Sequence, residues 1–209
     1  MGSYYYLVSQ LPYLIYGQTP PMSPEAFKEL ARPLLSSPDA ALLDLISLDP
    51  QPPGPGEQGH SYVNSAPVSG SGFIDNWREW ERALRLNLAK HRSIKTKRES
   101  AAPVEPPNFP ADAASVAARA MASAESPLEG EIFIDKARWS AIEFLQGIDY
   151  FDRNTVYAYL LKLIILQRRA SFQTETGFAE YKSLYASIME SAAADSGEQL
   201  GISPAGETK

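Results

Sequence analysis

The chain has 209 residues, of which 44% are hydrophobic and 21% charged, and a formal net charge of −6 at pH 7. This composition is typical of a globular protein with one domain or two small ones. It contains no cysteine, which excludes disulfides, thiol nucleophiles and cysteine-based metal sites.

The N-terminal quarter carries an aromatic stretch and two helix-start signals. The aromatic stretch, Tyr4–Tyr16, fits either a short strand or an early helix. The tripeptide Ser23–Glu25 combines an N-cap serine, a proline at the first helical position and an acid in the first turn. It predicts a helix that runs to about Leu35, with a break near Pro33. The tripeptide Ser37–Asp39 repeats this pattern and predicts a second helix that ends before Pro50.

Residues 49–71 form a proline- and glycine-rich segment that contains two well-known patterns. Gly54–Gly59 matches the G-x-G-x-x-G dinucleotide fingerprint, and Glu57 with His60 matches E-x-x-H. The fingerprint requires a strand before the glycines and a helix after them. Five prolines and four glycines in these 23 residues are incompatible with both. We therefore interpret both matches as coincidences in a long loop, whose role the sequence leaves open.

The clearest predicted helix, residues 73–98, combines an apolar stripe with a basic end. The stripe recurs at spacings of three and four residues, and its members are Phe73, Trp77, Trp80, Leu84 and Leu88. The segment carries eight Lys/Arg and three acids, a balance of +5, so the rest of the chain carries −11. The basic residues at its C-terminal end are Lys90, Arg92, Lys95, Lys97 and Arg98. They either form a solvated terminus that complements the helix dipole or contact an acidic partner. The cluster is too short to indicate nucleic-acid binding.

Two helices are predicted between residues 113 and 148. An alanine-rich helix covers 113–124, after a proline-rich linker at 99–112. Ser126 and Glu129 then form a capping box with proline at the first helical position. The helix that they open runs to about residue 148, and its core candidates are Ile132, Trp139, Ile142, Leu145 and Ile148.

Two more helices are predicted toward the C-terminus. Residues 155–172, capped by Asp152 or Asn154, are apolar almost all round, which predicts the central buried helix. The last helix covers 174–192, and its apolar face consists of Phe178, Tyr181, Leu184, Tyr185 and Ile188. The tail at 193–209 is small and polar, and is predicted to be disordered.

These elements predict an all-α protein of six to seven helices in a bundle-like array. Residues 1–192 are predicted to form one domain, with a candidate subdivision near the 99–112 linker. The chain does not begin with a signal-peptide pattern. Its longest apolar run, Val156–Leu166, includes Lys162 and is shorter than the roughly 20 residues of a membrane span. We therefore expect a cytoplasmic protein.

The sequence contains few residue patterns that are typical of catalytic sites. We therefore predict that the protein is not an enzyme and has no cofactor or metal site. Neither a nucleophile elbow nor a phosphate-binding loop occurs. The candidate acids for a carboxylate site are Glu129, Glu131, Asp135, Glu143, Asp149 and Asp152. Asp135 and Arg138 are more simply a helix-surface pair. Lys162, within an apolar helix, is expected to extend its ammonium group to solvent or to pair with a buried acid such as Glu143 or Asp152.

Four segments resemble an uncharacterised bacterial family encoded in operons of the vacuolar/archaeal-type (V/A-type) ATPase. They are "YYYLVSQLPYL" at 4–14, "WREWERALRLNLAKHR" at 77–92, "PLEGEIFIDKARW" at 127–139 and "FDRNTVYAYLLKLIILQRR" at 151–169. That family is in turn distantly similar to the ring-capping subunit of this ATPase, designated C in bacteria and d in eukaryotes. The ring-capping subunit is a non-catalytic, funnel-shaped helical protein on the membrane rotor ring.

The resemblance implies a central-stalk component that couples the rotor shaft to the membrane ring. Its partners would be the shaft and ring subunits. It would meet the membrane only peripherally, at the inner face and through the complex. At 209 residues the chain is shorter than the usual three-lobed ring-capping subunit, which implies a reduced version. The alternative is a helical adaptor or assembly factor that binds the ATPase transiently.

Overall fold

A computed structural model describes residues 4–49, 68–97, 106–108, 110–123, 126–172 and 181–189. The chain divides into two units, residues 1–169 and 170–209. The loop motifs at 54–60, most of the 99–112 linker and the tail at 193–209 lie outside the described residues. The predicted extent of the first domain, to residue 192, stays a prediction.

Three short helices form the N-terminal part of the first unit: α1 (Tyr5–Ser9), α2 (Pro24–Ala31) and α3 (Ser37–Leu42). A 3₁₀ turn follows each of the last two, at Arg32–Leu34 and Leu43–Leu45. The stretch that fitted either a strand or a helix therefore contains a helix. Ser23 caps α2 as predicted, since its hydroxyl accepts from the backbone N–H of Ala26 at 3.1 Å. The cap of α3 is Ser36, one residue before the predicted Ser37.

Four longer helices follow: α4 (Gly72–Thr96), α5 (Ala111–Ser123), α6 (Pro127–Gln146) and α7 (Arg153–Ala170). Residues 181–189, in the second unit, are also helical. The described residues contain helices and no strand, so the all-α prediction is confirmed for them. The described residues contain eight α-helices, one more than the upper end of the predicted six to seven. The additional helix is α1, which belongs to the stretch that the sequence left open.

Local capping chemistry sets the ends of α6 and α7. The capping box of Ser126 and Glu129 is present at the start of α6. The helix ends at Gln146, two residues before the predicted end, because Gly147 adopts φ +79°, a conformation that favours glycine. Asp152 caps α7, since its carboxylate accepts from the backbone N–H of Thr155 at 3.0 Å.

Helix α7 is the central buried element, as predicted. Its buried apolar side chains point in all directions, and they are Val156, Tyr157, Ala158, Leu160, Leu161, Leu163, Ile165 and Leu166. The predicted stripe of α4 is also buried, from Phe73 to Leu88. The core of the first unit is therefore built on α7 together with the stripe of α4 and part of α6.

Two sets of predicted core positions are exposed instead. Ile148 lies beyond the end of α6 and is 94% exposed, because the helical periodicity that placed it on the core face stops at Gly147. In the helix at 181–189, Tyr181, Leu184, Tyr185 and Ile188 are each more than half exposed. Phe178 lies outside the described residues.

A buried carboxylate connects the N-terminal segment to α7. Asp39 accepts hydrogen bonds from the hydroxyl groups of Tyr4 and Ser36, and its Oδ1 lies 3.3 Å from the guanidinium of Arg153. Tyr157 donates to the backbone oxygen of Asp39 at 3.2 Å. Burial by itself raises the pKa of Asp39, but the hydrogen bonds from Tyr4, Ser36 and Arg153 outweigh it, so the pKa lies below its ordinary value.

Replacing Asp39 with asparagine is expected to remove an acid-sensitive part of the stability. A carboxylate with a lowered folded-state pKa stabilises the fold fully above its unfolded pKa of about 3.9. That contribution disappears as the pH falls through the folded-state pKa. At neutral pH the variant should lose about 1–3 kcal/mol of unfolding free energy. Below about pH 4 its stability should fall less steeply than that of the wild type.

Urea unfolding at several pH values between neutral and strongly acidic measures this difference. Asp44 is a half-exposed acid that pairs with Arg32, and it provides the matched control. Asp44→Asn should leave the decrease of stability at acidic pH almost unchanged. Parallel pH curves for the wild type and Asp39→Asn would contradict the assignment.

Candidate functional site

A chain of ion pairs joins α4, α6 and α7 inside the first unit. Arg138 of α6 binds Glu81 of α4 with two parallel hydrogen bonds, at 3.0 Å from Nε to Oε2 and 2.6 Å from Nη2 to Oε1. Its Nη1 donates to Asp135 Oδ1 at 2.8 Å. All three side chains are at least 93% buried. The predicted Asp135–Arg138 pair is therefore present, but its predicted place on the helix surface is wrong, because α4 covers this face of α6.

The charge of Arg138 is held by these two carboxylates. Burial lowers the pKa of a guanidinium, but Glu81 and Asp135 outweigh burial and keep the pKa of Arg138 above its usual range. Paired guanidinium and carboxylate groups in this geometry restrict the rotation and sliding of two helices, because the fork of hydrogen bonds has one orientation. The contact therefore sets the register between α4 and α6.

The ion pairs continue from this buried centre to the surface. Arg168 of α7 donates to Asp135 Oδ1 at 3.1 Å and to Glu131 Oε2 at 2.7 Å. Glu131 Oε1 in turn lies 3.9 Å from Arg92 Nη2 on α4. The pairs Glu81–Arg138 and Arg92–Glu131 show that α4 and α6 run antiparallel. The series of charges thus leads from the core of the unit to the basic end of α4.

The predicted contact residues surround the last two turns of α4. Lys90, Arg92, Lys95 and Lys97 are exposed, and Arg98 lies outside the described residues. The last buried residue of α4 is Leu88. Among residues 89–96, His91 and Ser93 are half-buried and the other six are exposed. Lys97 ends the helix with φ 51°. The basic end is therefore an exposed continuation of a helix whose other half is firmly packed.

An apolar groove of about 840 Å³ lies between α4, α5 and α6. Trp80 of α4 and Val116 of α5 form two of its walls. The α6 side consists of Phe133, Lys136, Ala137, Ser140, Ala141, Phe144 and Leu145. Phe144, one of these residues, is 85% exposed. The sequence did not indicate this groove, because its lining comes from three segments that meet only in the fold.

The acids considered for catalysis all have partners that account for their position. Glu129 belongs to the capping box of α6, and Asp149 accepts from the backbone N–H of Phe151 at 3.0 Å. Glu143 accepts from the indole N–H of Trp139 at 2.8 Å and from Lys162 at 3.2 Å. Glu131 and Asp135 belong to the ion pairs described above, and Asp152 caps α7.

Lys162 pairs with Glu143, one of the two predicted partners. Its ammonium also lies 5.0 Å from the centre of the Trp139 ring, a favourable cation–π distance. The prediction of a buried acid is wrong in one respect, since the Glu143 side chain is 55% exposed. The side chain of Lys162 therefore reaches the protein surface.

The described residues contain no group of three or more His, Cys, Asp or Glu side chains placed to hold a metal ion. None of the helices in the described ranges has both the length and the apolar character that a membrane crossing requires.

Comparison of the chain with known protein families, with curated proteins and with solved structures finds no match. The resemblance to the ATPase-associated family and to the ring-capping subunit therefore stays a prediction.

Proposed function

We propose that this protein is a non-catalytic coupling subunit of a V/A-type ATPase that links the rotor shaft to the membrane ring. The main support is the basic end of α4, which carries exposed cations on a helix anchored by buried ion pairs. A coupling element has to transmit force between partners. An exposed helix end held at its base by a bidentate ion pair suits that role, because it resists bending and sliding.

The charge of this end suggests the chemistry of its partner. Between Arg82 and Lys97 the sequence contains no acid, and Glu131 of α6 places a carboxylate 3.9 Å from Arg92. Such a surface attracts acidic groups and steers their approach. We infer that the basic end binds an acidic surface of the rotor shaft. The anionic headgroups of the membrane are the second candidate contact.

Reversing three charges at this end is expected to weaken assembly with the ATPase. Lys95→Glu, Lys97→Glu and Arg98→Glu together should reduce the ATPase subunits retained on the tagged protein by roughly tenfold or more near physiological salt. Wild-type retention should itself fall as salt rises, because the screening length shortens from about 8 Å at 0.15 M to about 3 Å at 1 M. Affinity purification from native cells, followed by quantification of head, shaft and ring subunits, measures both effects.

The control variant keeps the charge and changes only the side chains. Lys95→Arg, Lys97→Arg and Arg98→Lys should retain the ATPase subunits at the wild-type level. Equal retention by the reversed variant would remove the basic end from the interface. Absence of ATPase subunits from the wild-type purification would refute the proposed function. Substoichiometric, transient association would favour the adaptor or assembly factor instead.

A further inference from the structure

The groove between α4, α5 and α6 is lined on its α6 side by residues that span about three helical turns. Phe133 and Phe144 stand at its two ends on α6, about three turns or 16 Å apart. Between them lie the small side chains of Ala137, Ser140 and Ala141. Small residues allow a helix axis to approach closely, since the distance between packed helices depends on the side chains at the contact. The groove therefore has room for about three turns of a guest helix.

The charged residues of the groove are separated by sign along its length. Arg119 of α5 lies 5.6 Å from the centre of the Phe133 ring, so the end of α5 lies beside the start of α6. Since α5 and α6 are consecutive, Asp112 lies two turns farther along, toward the Phe144 end. Lys136 is one turn from Phe133 on α6. Arg119 and Lys136 thus lie toward the Phe133 end of the groove, and Asp112 lies on the Phe144 side of them.

Lys136 is a cation of this groove that pairs with no carboxylate in the described part of the chain. Glu79 is neutralised by Arg82, at 2.6 and 2.9 Å. Asp112 accepts from the indole N–H of Trp80 at 2.8 Å and lies in the first turn of α5, where the helix dipole favours an acid. The ammonium of Lys136 is exposed and pairs with no carboxylate among residues with described side chains.

We propose that this groove binds an amphipathic helix of a partner protein, antiparallel to α6, with acidic residues near the C-terminal end of that helix. The N-terminal end of the guest helix, where the dipole is positive, then lies at Asp112. Its C-terminal end and its acidic side chains lie at Lys136. Apolar side chains at positions i, i+3, i+4 and i+7 fill the space above Ala137 and Ala141. Docking also covers the exposed ring of Phe144.

This inference rests on the proposed role as a protein-binding component, but it does not require that the partner belong to an ATPase. A synthetic peptide therefore tests it separately from co-purification. If the peptide fails to bind, the groove is excluded as a docking site and the interface at the basic end of α4 is unaffected.

The probe is a fluorescently labelled helical peptide of about 14 residues, long enough for nearly four turns. It carries leucines on one face and two glutamates in its last turn, and a matched peptide has lysines in place of the glutamates. We expect saturable binding of the acidic peptide to the full chain in an anisotropy titration. Its Kd should be at least about tenfold lower than that of the lysine peptide, a difference of about 1.4 kcal/mol.

Three variants locate the binding. Ser140 lies in the groove and is exposed, so Ser140→Trp should block the peptide. Ser9 is an exposed serine of α1, a helix that does not line the groove, and Ser9→Trp should bind normally. Lys136→Glu should reverse the preference in favour of the lysine peptide. Because Lys136→Glu is a surface change, it keeps the test valid even if Ser140→Trp fails to fold.

Several results would overturn the proposal. They are the absence of saturable binding, equal affinity for the two peptides, or unchanged affinity in both Ser140→Trp and Lys136→Glu. Displacement of the peptide by a long-chain fatty acid, with no preference between the peptides, would assign the groove to a lipid. A dimer in sedimentation that Ser140→Trp abolishes would assign it to a second copy of the chain.

Discussion

Replacing Arg138 with methionine is expected to lower the free energy of unfolding by about 3–5 kcal/mol, because it leaves two buried carboxylates without their cation. Glu81 loses both of its hydrogen bonds from Arg138, although it keeps the bond from Arg85 at 2.8 Å. Asp135 keeps only the contact with Arg168 through Oδ1. Its Oδ2 is buried and has no hydrogen-bond partner within the described part of the chain. Removing Arg138 therefore leaves the desolvation free energy of these two carboxylates largely uncompensated.

Two further substitutions separate the buried pairing from a general effect of losing an arginine. Arg32→Met removes an exposed ion pair with Asp44, whose side chains are 45% and 55% exposed. It should cost no more than about 1 kcal/mol. Arg138→Lys keeps the charge but loses the bidentate fork, so its stability should lie between those of the wild type and Arg138→Met. Urea unfolding followed by circular dichroism ranks the three variants. Equal losses for Arg138→Met and Arg32→Met would contradict the buried ion-pair chain.

Truncating Ile142 to alanine is expected to cost about 2–5 kcal/mol, whereas the same change at Ile148 should cost less than about 0.5 kcal/mol. Both residues are isoleucines that the sequence places on the core face of one helix. Ile142 is fully buried in the core of the first unit, at 0% exposure, and Ile148 is 94% exposed. The first change removes buried methyl groups and leaves a cavity. The second removes a side chain that is already in solvent.

The midpoint of thermal unfolding reports the same contrast, since a loss of 1 kcal/mol lowers it by roughly 2–4 °C in a chain of this size. Ile142→Val, which deletes a single methyl group, should fall between the wild type and Ile142→Ala at about 0.5–1.5 kcal/mol. A loss at Ile148 that matches the loss at Ile142 would mean that residue 148 packs against the core.

Local sequence signals predicted most of the helices correctly. Ser23, the capping box of Ser126 and Glu129, and Asp152 each open a helix through hydrogen bonds to residues three positions away. The stripe of α4 and the all-round apolar character of α7 predicted their buried faces. These properties depend on neighbours within a few residues along the chain, so they can be read without knowledge of the fold.

The candidate site was predicted only in part. The cations at the end of α4 were identified from sequence, since a run of Lys and Arg at the end of a helix is a local pattern. The ion pair that anchors α4 was not predicted, because Glu81 and Arg138 are 57 residues apart in the sequence. Each of them also has a partner of opposite charge on its own helix. The groove escaped prediction for the same reason, as its lining comes from three helices.

The sequence by itself therefore determined that this is a helical protein, where most helices begin and which helix lies at the centre. Only the tertiary structure decided that the Asp135–Arg138 pair is buried, that Ile148 is exposed and that α4, α5 and α6 leave a groove. The physical reason is that helix formation and capping depend on hydrogen bonds within a few residues. Burial and charge pairing depend on which distant segments pack together. The periodicity of a helix shows which of its faces is apolar, but not which segment packs against that face.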